Sequence, residues 1–167
     1  MVYCTIYLAV ARKYIQGKWF PRNPQKYAGD PNNIIYRSSW ELRFFNWADQ
    51  NPGVISWQSE TTIVPYLCDT DGKMHRYFVD ITIKIRTSSG EIKTYLVEIK
   101  PWAQTQPPKQ NKKKTKRYIE EVETFVKNQC KWKAATAYAK KRGAEFIVLT
   151  EKELGIGWAK KVNWRAC

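Results

Sequence analysis

Three charged side chains interrupt apolar stretches of the sequence at a spacing that suits phosphodiester hydrolysis. Asp80 follows Phe78-Val79, and Glu98 and Lys100 are two residues apart in Val97-Glu98-Ile99-Lys100. Carboxylate oxygens suit Mg²⁺, which keeps several waters and can present one of them to a phosphodiester as a nucleophile. A lysine beside that water could orient it, lower its pKa or stabilise charge developing on the phosphate. These residue types predict a metal-dependent phosphodiester hydrolase.

Alternating apolar and polar residues predict the two strands that carry these groups. In the segment 79–85 the odd-numbered residues are apolar and share one face, while Asp80 lies on the other face. In the following strand Glu98 and Lys100 share a face, and their apolar neighbours point the opposite way. Leu96 shares the face of Glu98 and Lys100, and Tyr95, Val97 and Ile99 form the opposite one.

The hairpin between these strands sets their register. If its loop is residues 88–90, with Gly90 supplying a positive φ, Asp80 faces Glu98. A slip of one residue would pair Asp80 with Val97 and mix apolar with charged positions on both faces. In the register that pairs Asp80 with Glu98, the two carboxylates meet within about 5 Å, which is unfavourable unless a cation lies between them. The same register pairs Ile81 with Val97 and Ile83 with Tyr95.

An ordinary solvated β-face, with charges paired across strands, is the alternative interpretation of this trio. Two facing acids and a lysine inside otherwise apolar strands would be a poor arrangement for stability alone. We therefore expect Asp80, Glu98 and Lys100 to form a functional site.

The surrounding elements predict one α/β domain. The helix Ser39–Gln50 has an apolar stripe and is stopped by Asn51-Pro52-Gly53. A crossover from the third strand to the last would make those two strands parallel, which implies a mixed central sheet flanked by helices in an αβββαβ core. The other predicted elements are strands at Val54–Tyr66, His75–Arg86, Glu91–Lys100 and Phe146–Leu149, helical stretches at Tyr118–Val126 and Trp132–Arg142, and a capping box at Thr150-x-x-Glu153.

Length and charge indicate a single domain with a polyanionic partner. The 167 residues suit one domain, which we place at residues 34–167 after a basic N-terminal arm at residues 1–33. A net charge of +14 favours nucleic acid, although an anionic membrane or plain solubility would also explain it. A membrane-surface role lacks a suitable amphipathic helix. The apolar stretch 3–11 is shorter than the roughly 20 residues that span a bilayer, and we expect an upstream extension of the true start or an N-terminal strand there in preference to a signal peptide.

Two groups of cations are candidates for contact with DNA phosphates. The first follows the strand of Glu98 and Lys100, where it would act as a clamp if the loop folds over DNA and is otherwise a solvated basic run. The second lies in the arm beside Trp19 and Phe20, which could contact backbone or splayed bases. The residues are Lys109, Lys112, Lys113, Lys114, Lys116 and Arg117 in the first group, and Lys18 and Arg22 in the second.

The cysteines suggest neither a disulfide framework nor a structural zinc site. Cys4, Cys68, Cys130 and Cys167 are far apart without a C-x-x-C pair, and His75 is the single histidine. We expect free thiols in a reducing cytoplasm.

The ordered set of motifs resembles the PD-(D/E)xK nuclease superfamily. Phe78-Val79-Asp80 and Val97-Glu98-Ile99-Lys100 follow a helix that bears Glu41, and Val79 stands where the motif has proline. The wider context is similar to the head-completion nucleases of T-even-type phages and to the N-terminal catalytic domain of the TnsA transposition endonucleases. The resemblance spans roughly Arg12 to Leu154, and its context motifs are Tyr36–Glu41, Trp57–Glu60, Ile63–Tyr66 and Arg76–Asp80.

This resemblance implies a restriction-endonuclease-like domain that cuts double-stranded DNA with Mg²⁺, for which Mn²⁺ would substitute. It adds Glu41 to Asp80 and Glu98 as a metal ligand, so that the catalytic set is Glu41, Asp80, Glu98 and Lys100. It also implies capsid or portal proteins as partners, in the host cytoplasm or associated with the virion. One site cutting both strands would need a homodimer or two visits to the DNA.

Alternatives remain open for two acids and for the function. Glu41 would serve only the helix terminus if Ser38-x-x-Glu41 is a capping box, and a carboxylate turned back to cap is not free to reach a cation. Glu60 is a weaker candidate near the same sheet edge. For the function, the rivals are a basic structural protein of the capsid that binds DNA without cutting it and a transposition endonuclease.

Overall fold

A computed structural model of the chain describes residues 15–109 and 115–155. The predicted strand at 3–11 and the cations Lys112, Lys113 and Lys114 lie outside these residues. Within them, no helix combines the length and the apolar character needed to cross a membrane. The elements are β1 (Gly17–Trp19), β2 (Ile34–Tyr36), α1 (Ser39–Gln50), β3 (Val54–Ser59), β4 (Ile63–Cys68), β5 (Lys73–Phe78), β6 (Ile81–Arg86), β7 (Ile92–Ile99), α2 (Trp102–Thr105), α3 (Lys116–Lys140) and β8 (Glu145–Leu149).

A four-stranded mixed sheet forms the centre of the domain. Its order is β3-β6-β7-β8, with β6 antiparallel to both of its neighbours and β8 parallel to β7. The parallel pair follows from the helical crossover through α3, because a connection between parallel strands must traverse the sheet. The predicted mixed sheet is confirmed.

Helices cover this sheet on both faces. On one face the side chains of α1 pack with those of the sheet around the buried indole of Trp57. On the other face α3 and the two-stranded β4–β5 ribbon enclose a second core that contains Leu96 of β7. The α/β arrangement expected from the sequence is thereby confirmed. The predicted bounds of α1, Ser39–Gln50, are also those of the structure.

Two strands predicted as continuous are each broken in two. The run 54–66 becomes β3 and β4, and the run 75–86 becomes β5 and β6. At the break the chain leaves the central sheet for the β4–β5 ribbon, and Glu60 takes a φ of 51°. The amide N–H of Glu60 donates to the Asp80 carbonyl (3.0 Å), and that of Val79 donates to the Thr62 carbonyl (2.9 Å). In the run 75–86, Tyr77, Val79 and Ile81 keep the same alternation across the break, so the pattern there did not reveal it. In the run 54–66 the buried positions shift from odd numbers, as at Trp57, to even numbers, as at Val64.

The two helical stretches predicted near residues 118–126 and 132–142 are one helix. α3 runs through residues 127–131, where the sequence has no glycine or proline to stop it. Buried Asn128 and Cys130 continue the inner face although Asn128 is polar. The helix ends just before Gly143, which has a φ of 65° and is the predicted stop.

The described part of the predicted basic arm packs against the domain. β1 pairs with β2, and the Trp19 ring meets the rings of Phe45 and Trp57 at 5.8 and 5.6 Å between centroids. Buried Asp49 of α1 accepts the amide N–H of Arg22 at 3.0 Å. Trp19 therefore packs against the core, whereas Phe20 is 64% exposed. The boundary at residue 33 stays a prediction, and residues on both sides of it pack together.

Candidate active site

Asp80 lies at the break between the ribbon and the central sheet. The ladder pairs Ile81 with Val97 and Ile83 with Tyr95, as predicted, and extending it by one pair places Asp80 opposite Glu98. The main-chain N–H of Ile99 donates to Asp80 Oδ2 at 2.8 Å. A side-chain oxygen thus takes the place of a main-chain acceptor at the end of the ladder, which holds the carboxylate against β7.

Glu98 is buried, with 2% of its surface exposed. Its Oε1 lies 3.2 Å from Lys100 Nζ. Its Oε2 accepts a hydrogen bond from the Tyr77 hydroxyl. Burying a carboxylate is costly unless charge or hydrogen bonds compensate, and here one cation and one hydroxyl do so.

The charged groups of this site shift the pKa values of one another. Burial raises the pKa of Asp80 to about 8, and the facing Glu98 carboxylate and the more remote Glu41 add to that rise. Lys100 and the Ile99 N–H act in the other direction. Burial alone would lower the pKa of Lys100, but Glu98 and Asp80 outweigh it and the pKa is raised. Lys100 therefore stays an ammonium at neutral pH.

A hard cation fits this donor set. Two carboxylates face each other in a partly closed site, and the proximity of Glu98 disfavours the ionised form of Asp80. Among the described residues, no hydrogen-bond donor reaches Oδ1 of Asp80, so that oxygen is available as a ligand. A divalent ion between the carboxylates would replace repulsion by attraction, and oxygen donors are those that Mg²⁺ prefers.

The electrostatics of Asp80 predict an unusual pH dependence of stability. Its pKa in the folded chain, about 8, exceeds the value of about 3.9 expected when unfolded, so the folded state binds more protons between these limits. The free energy of unfolding in EDTA should therefore fall as pH rises from 5 to 8, by a few kcal/mol. Urea denaturation at several pH values measures this slope, and Asp80→Asn should flatten it. Equal slopes in both proteins would contradict the assignment.

Tyr77 is a member of the site that the sequence prediction missed. In one continuous strand Tyr77 would share a face with Ile81, pointing away from Asp80 and Glu98. The break at Val79–Asp80 instead places Tyr77, Val79 and Leu96 in the same core. Burial, together with the charge of Glu98 and the hydrogen bond to it, raises the pKa of the Tyr77 phenol, so it remains a donor. The motif Arg76–Asp80 was the one sequence signal that included it.

Comparison with known proteins assigns the chain to a family. The family model of the TnsA-like endonuclease N-terminal domain matches residues 51–151, which include Asp80, Glu98 and Lys100. The chain belongs to the TnsA-like endonuclease family. It is also 49% identical over 142 residues to the head completion nuclease of Enterobacteria phage T4, which covers 83% of this chain and 92% of that protein. No solved structure matches the chain.

Glu41 forms a variant of the capping box in this TnsA-like chain, because its carboxylate accepts the N–H of Arg37 and not that of the N-cap residue Ser38. The amide N–H of Glu41 donates to Ser38 Oγ at 3.1 Å, and Ser38 Oγ donates to Glu41 Oε1 at 2.9 Å. Its Oε2 accepts the amide N–H of Arg37 at 2.8 Å. Glu41 is nevertheless close enough for its charge to act on Asp80 and Lys100. Metal ligation by Glu41, predicted from the family resemblance, stays a proposal that requires the carboxylate to leave this cap.

Glu60 is held by an arginine in the structure. Its two oxygens accept Nε and Nη2 of Arg37 at 2.7 and 2.9 Å. This bidentate pair links the segment before α1 to the break between β3 and β4. A carboxylate neutralised by a guanidinium is a poor metal ligand, so Glu60 is better explained as a structural partner of Arg37.

The cations predicted to contact DNA are exposed wherever the structure describes them. Lys109 and Lys116 lie on either side of the undescribed residues, and Arg117 forms an exposed ion pair with Glu121 at 3.0 Å. Lys18 and Arg22 are also exposed. The sequence prediction did not single out Lys131 of α3, whose ammonium lies 5.6 Å from the centre of the Tyr77 ring. Lys131 therefore brings positive charge near the carboxylates.

Proposed function

We propose that the chain is a metal-dependent endonuclease that hydrolyses phosphodiester bonds in double-stranded DNA, acting in phage head completion or DNA-end processing. The observation that carries the proposal is the facing pair Asp80 and Glu98 with Lys100 at 3.2 Å from Glu98. Membership of the TnsA-like family and the 49% identity to a head completion nuclease support it. The capsid or portal, where such a protein would act, is the proposed partner.

Asp80 and Glu98 would hold Mg²⁺, with Mn²⁺ as a substitute and Glu41 as a third ligand once it releases Ser38. The ion would supply a nucleophilic water and neutralise phosphate charge. Lys100 stays protonated, so it acts as a cation that orients the nucleophile or stabilises charge on the phosphate and not as a base. The exposed cations beside β7 and in the arm would position the DNA backbone.

Incubating the purified protein with supercoiled plasmid and with linear duplex tests this function. Each reaction contains Mg²⁺, Mn²⁺ or EDTA. We expect nicking or linearisation of the plasmid that EDTA prevents. Comparison of the rates on plasmid and on linear duplex distinguishes cutting within the DNA from cutting at its ends. DNA binding without cleavage under every metal would favour the non-catalytic capsid protein instead.

Tyr77→Phe should lower the cleavage rate by about tenfold to a hundredfold, the usual cost of losing a partner that orients a metal ligand. The Tyr77 phenol donates a hydrogen bond to Glu98 Oε2. Without this bond the Glu98 carboxylate can rotate, and Oε2 can attract Lys100. Single-turnover cleavage at several Mg²⁺ concentrations measures the change. A positioning role predicts that more Mg²⁺ recovers part of the rate. Tyr66→Phe, on the neighbouring strand, is the control, and equal losses in both variants would contradict a specific role for Tyr77.

Glu41→Gln separates capping from catalysis. Glutamine retains an oxygen for the Arg37 N–H, so the helix cap is largely preserved while the negative charge is lost. If Glu41 joins the metal site, cleavage should fall by about tenfold or more with little change in stability. Plasmid cleavage and urea denaturation of the same preparation give both values. Unchanged cleavage would leave Glu41 as a cap alone.

A further inference from the structure

Three potential metal ligands meet at the tip of the β4–β5 ribbon, far from the carboxylates described above. Cys68, Asp71 and His75, here termed the hairpin-tip triad, each offer one ligand atom, and these sulfur, oxygen and nitrogen atoms all lie within 4.8 Å of one another. Asp71 Oδ2 is 2.8 Å from His75 Nε2. The absence of a C-x-x-C pair led to the expectation of no zinc site, but a mixed Cys/Asp/His set needs no such pair.

The hairpin holds the triad in place through its main chain. Cys68 faces Lys73 across the ladder, and the Gly72 N–H donates to the Cys68 carbonyl at 2.8 Å, with Gly72 at a φ of 66°. The Lys73 N–H donates to Asp71 Oδ1 at 3.1 Å, which leaves Oδ2 directed to His75. That hydrogen bond and the one to His75 lower the pKa of Asp71, so it is an anion at neutral pH.

The triad is separate from the active site. The β4–β5 ladder begins at Ile63 with Phe78, beside Asp80, and ends at Cys68 with Lys73. Five residue steps of about 3.3 Å therefore put roughly 16 Å between the two ends. Cys68 is buried in the core beneath α3, whereas Asp71 and His75 are partly exposed. A bound ion would be anchored in the core and reachable from solvent.

We propose that the hairpin-tip triad binds one Zn²⁺ through Cys68 Sγ, Asp71 Oδ2 and His75 Nε2. Tetrahedral zinc bonds imply separations of about 3.3 to 3.7 Å between ligand atoms, so the Asp71–His75 contact of 2.8 Å would open slightly. Cys68 would bind as a thiolate, its proton passing to solvent, and water would complete the coordination. Thiolate and imidazole donors disfavour Mg²⁺, so the two sites would take different ions. The zinc would fasten the β4 and β5 ends of the ribbon.

Cobalt binding by the full-length, demetallated protein tests this proposal, because Co²⁺ replaces Zn²⁺ and reports thiolate ligation by a charge-transfer absorption. One equivalent of Co²⁺ should produce this absorption, and one equivalent of Zn²⁺ should remove it. Cys68→Ser should abolish the absorption. His75→Ala, at a partly exposed position, should weaken Zn²⁺ affinity at least about tenfold and remains informative if the cysteine variant fails to fold.

Two control variants make the outcome specific. Cys130→Ser alters a buried thiol whose sulfur accepts the Asp69 N–H at 3.5 Å, next to the triad, and should keep the absorption. Asp80→Asn should keep it as well, so this test does not depend on nuclease activity. No charge-transfer absorption in the wild type, or an absorption that survives both Cys68→Ser and His75→Ala, would overturn the proposal.

Discussion

Asp80→Asn is expected to reduce DNA cleavage by about 10³-fold or more while leaving the metal-free protein at least as stable as the wild type. Asparagine retains an oxygen for the Ile99 N–H but not the charge that would hold the metal. Metal chemistry of this kind contributes several kcal/mol to a hydrolytic transition state, and each 1.36 kcal/mol is tenfold in rate. Plasmid cleavage with Mg²⁺, followed on gels over time, measures the loss.

Stability is the internal control for this variant. Like charge on Glu98 and burial both disfavour ionised Asp80, so the neutral side chain should raise the free energy of unfolding in EDTA at pH 8. Added Mg²⁺ should stabilise the wild type and not Asp80→Asn, because only a folded state that binds the ion gains from it. Thermal denaturation with and without Mg²⁺ reports both effects. Substantial cleavage by a folded Asp80→Asn protein would remove Asp80 from the proposed metal site.

Lys100→Met should lower the cleavage rate by about 10²- to 10³-fold, the loss observed when one donor to a developing charge is removed. Methionine has a similar length, so packing beside Glu98 is largely retained. Since the pKa of Lys100 is raised, its charge is constant through neutral pH, and the remaining activity should keep the basic limb of the wild-type pH profile. The acidic limb should move to higher pH, because Lys100 no longer lowers the pKa of Asp80. Cleavage rates between pH 6 and 9 check both statements.

Lys84→Met is the matched control for that experiment. Lys84 is an exposed lysine of β6 that faces Thr94 of β7, so it shares the sheet but not the site. The Lys84→Met protein should cleave DNA at close to the wild-type rate. A pH profile that loses a basic limb only in Lys100→Met would mean that Lys100 transfers protons, contrary to the role proposed here.

DNA binding by Asp80→Asn tests whether the basic surface holds DNA independently of the metal site. The described cations beside β7 and in the arm are exposed, and phosphate contacts of that kind act independently of metal ligation. Asp80→Asn should therefore bind DNA with similar affinity in EDTA. Loss of cleavage with unchanged binding separates a nuclease from a capsid protein that only binds DNA, because the latter has no Asp80-dependent cleavage to lose.

The central pair of strands was predictable because its determinants are local. Alternation places Asp80 and Glu98 on the polar side, and the three-residue turn at Gly90 selects one register, which the ladder confirms. The helix bearing Glu41 was predicted for the same reason, since its cap and stop lie within a few residues of its ends. The sequence left open whether Glu41 caps or ligates. The capping hydrogen bonds are present, and ligation remains to be tested.

The sequence by itself determined the pairing of Asp80 with Glu98, the position of Lys100 and the mixed sheet. Tertiary structure decided where the strands change sheets, because alternation looks the same in a strand that continues and in one that leaves to pack under α3. That break brings Tyr77 to Glu98 and places Cys68 and His75 on the same ribbon. The contact of Tyr77 with Glu98 depends on packing between segments 21 residues apart, which no short-range pattern in the sequence encodes, whereas Cys68 and His75 meet across a local hairpin turn.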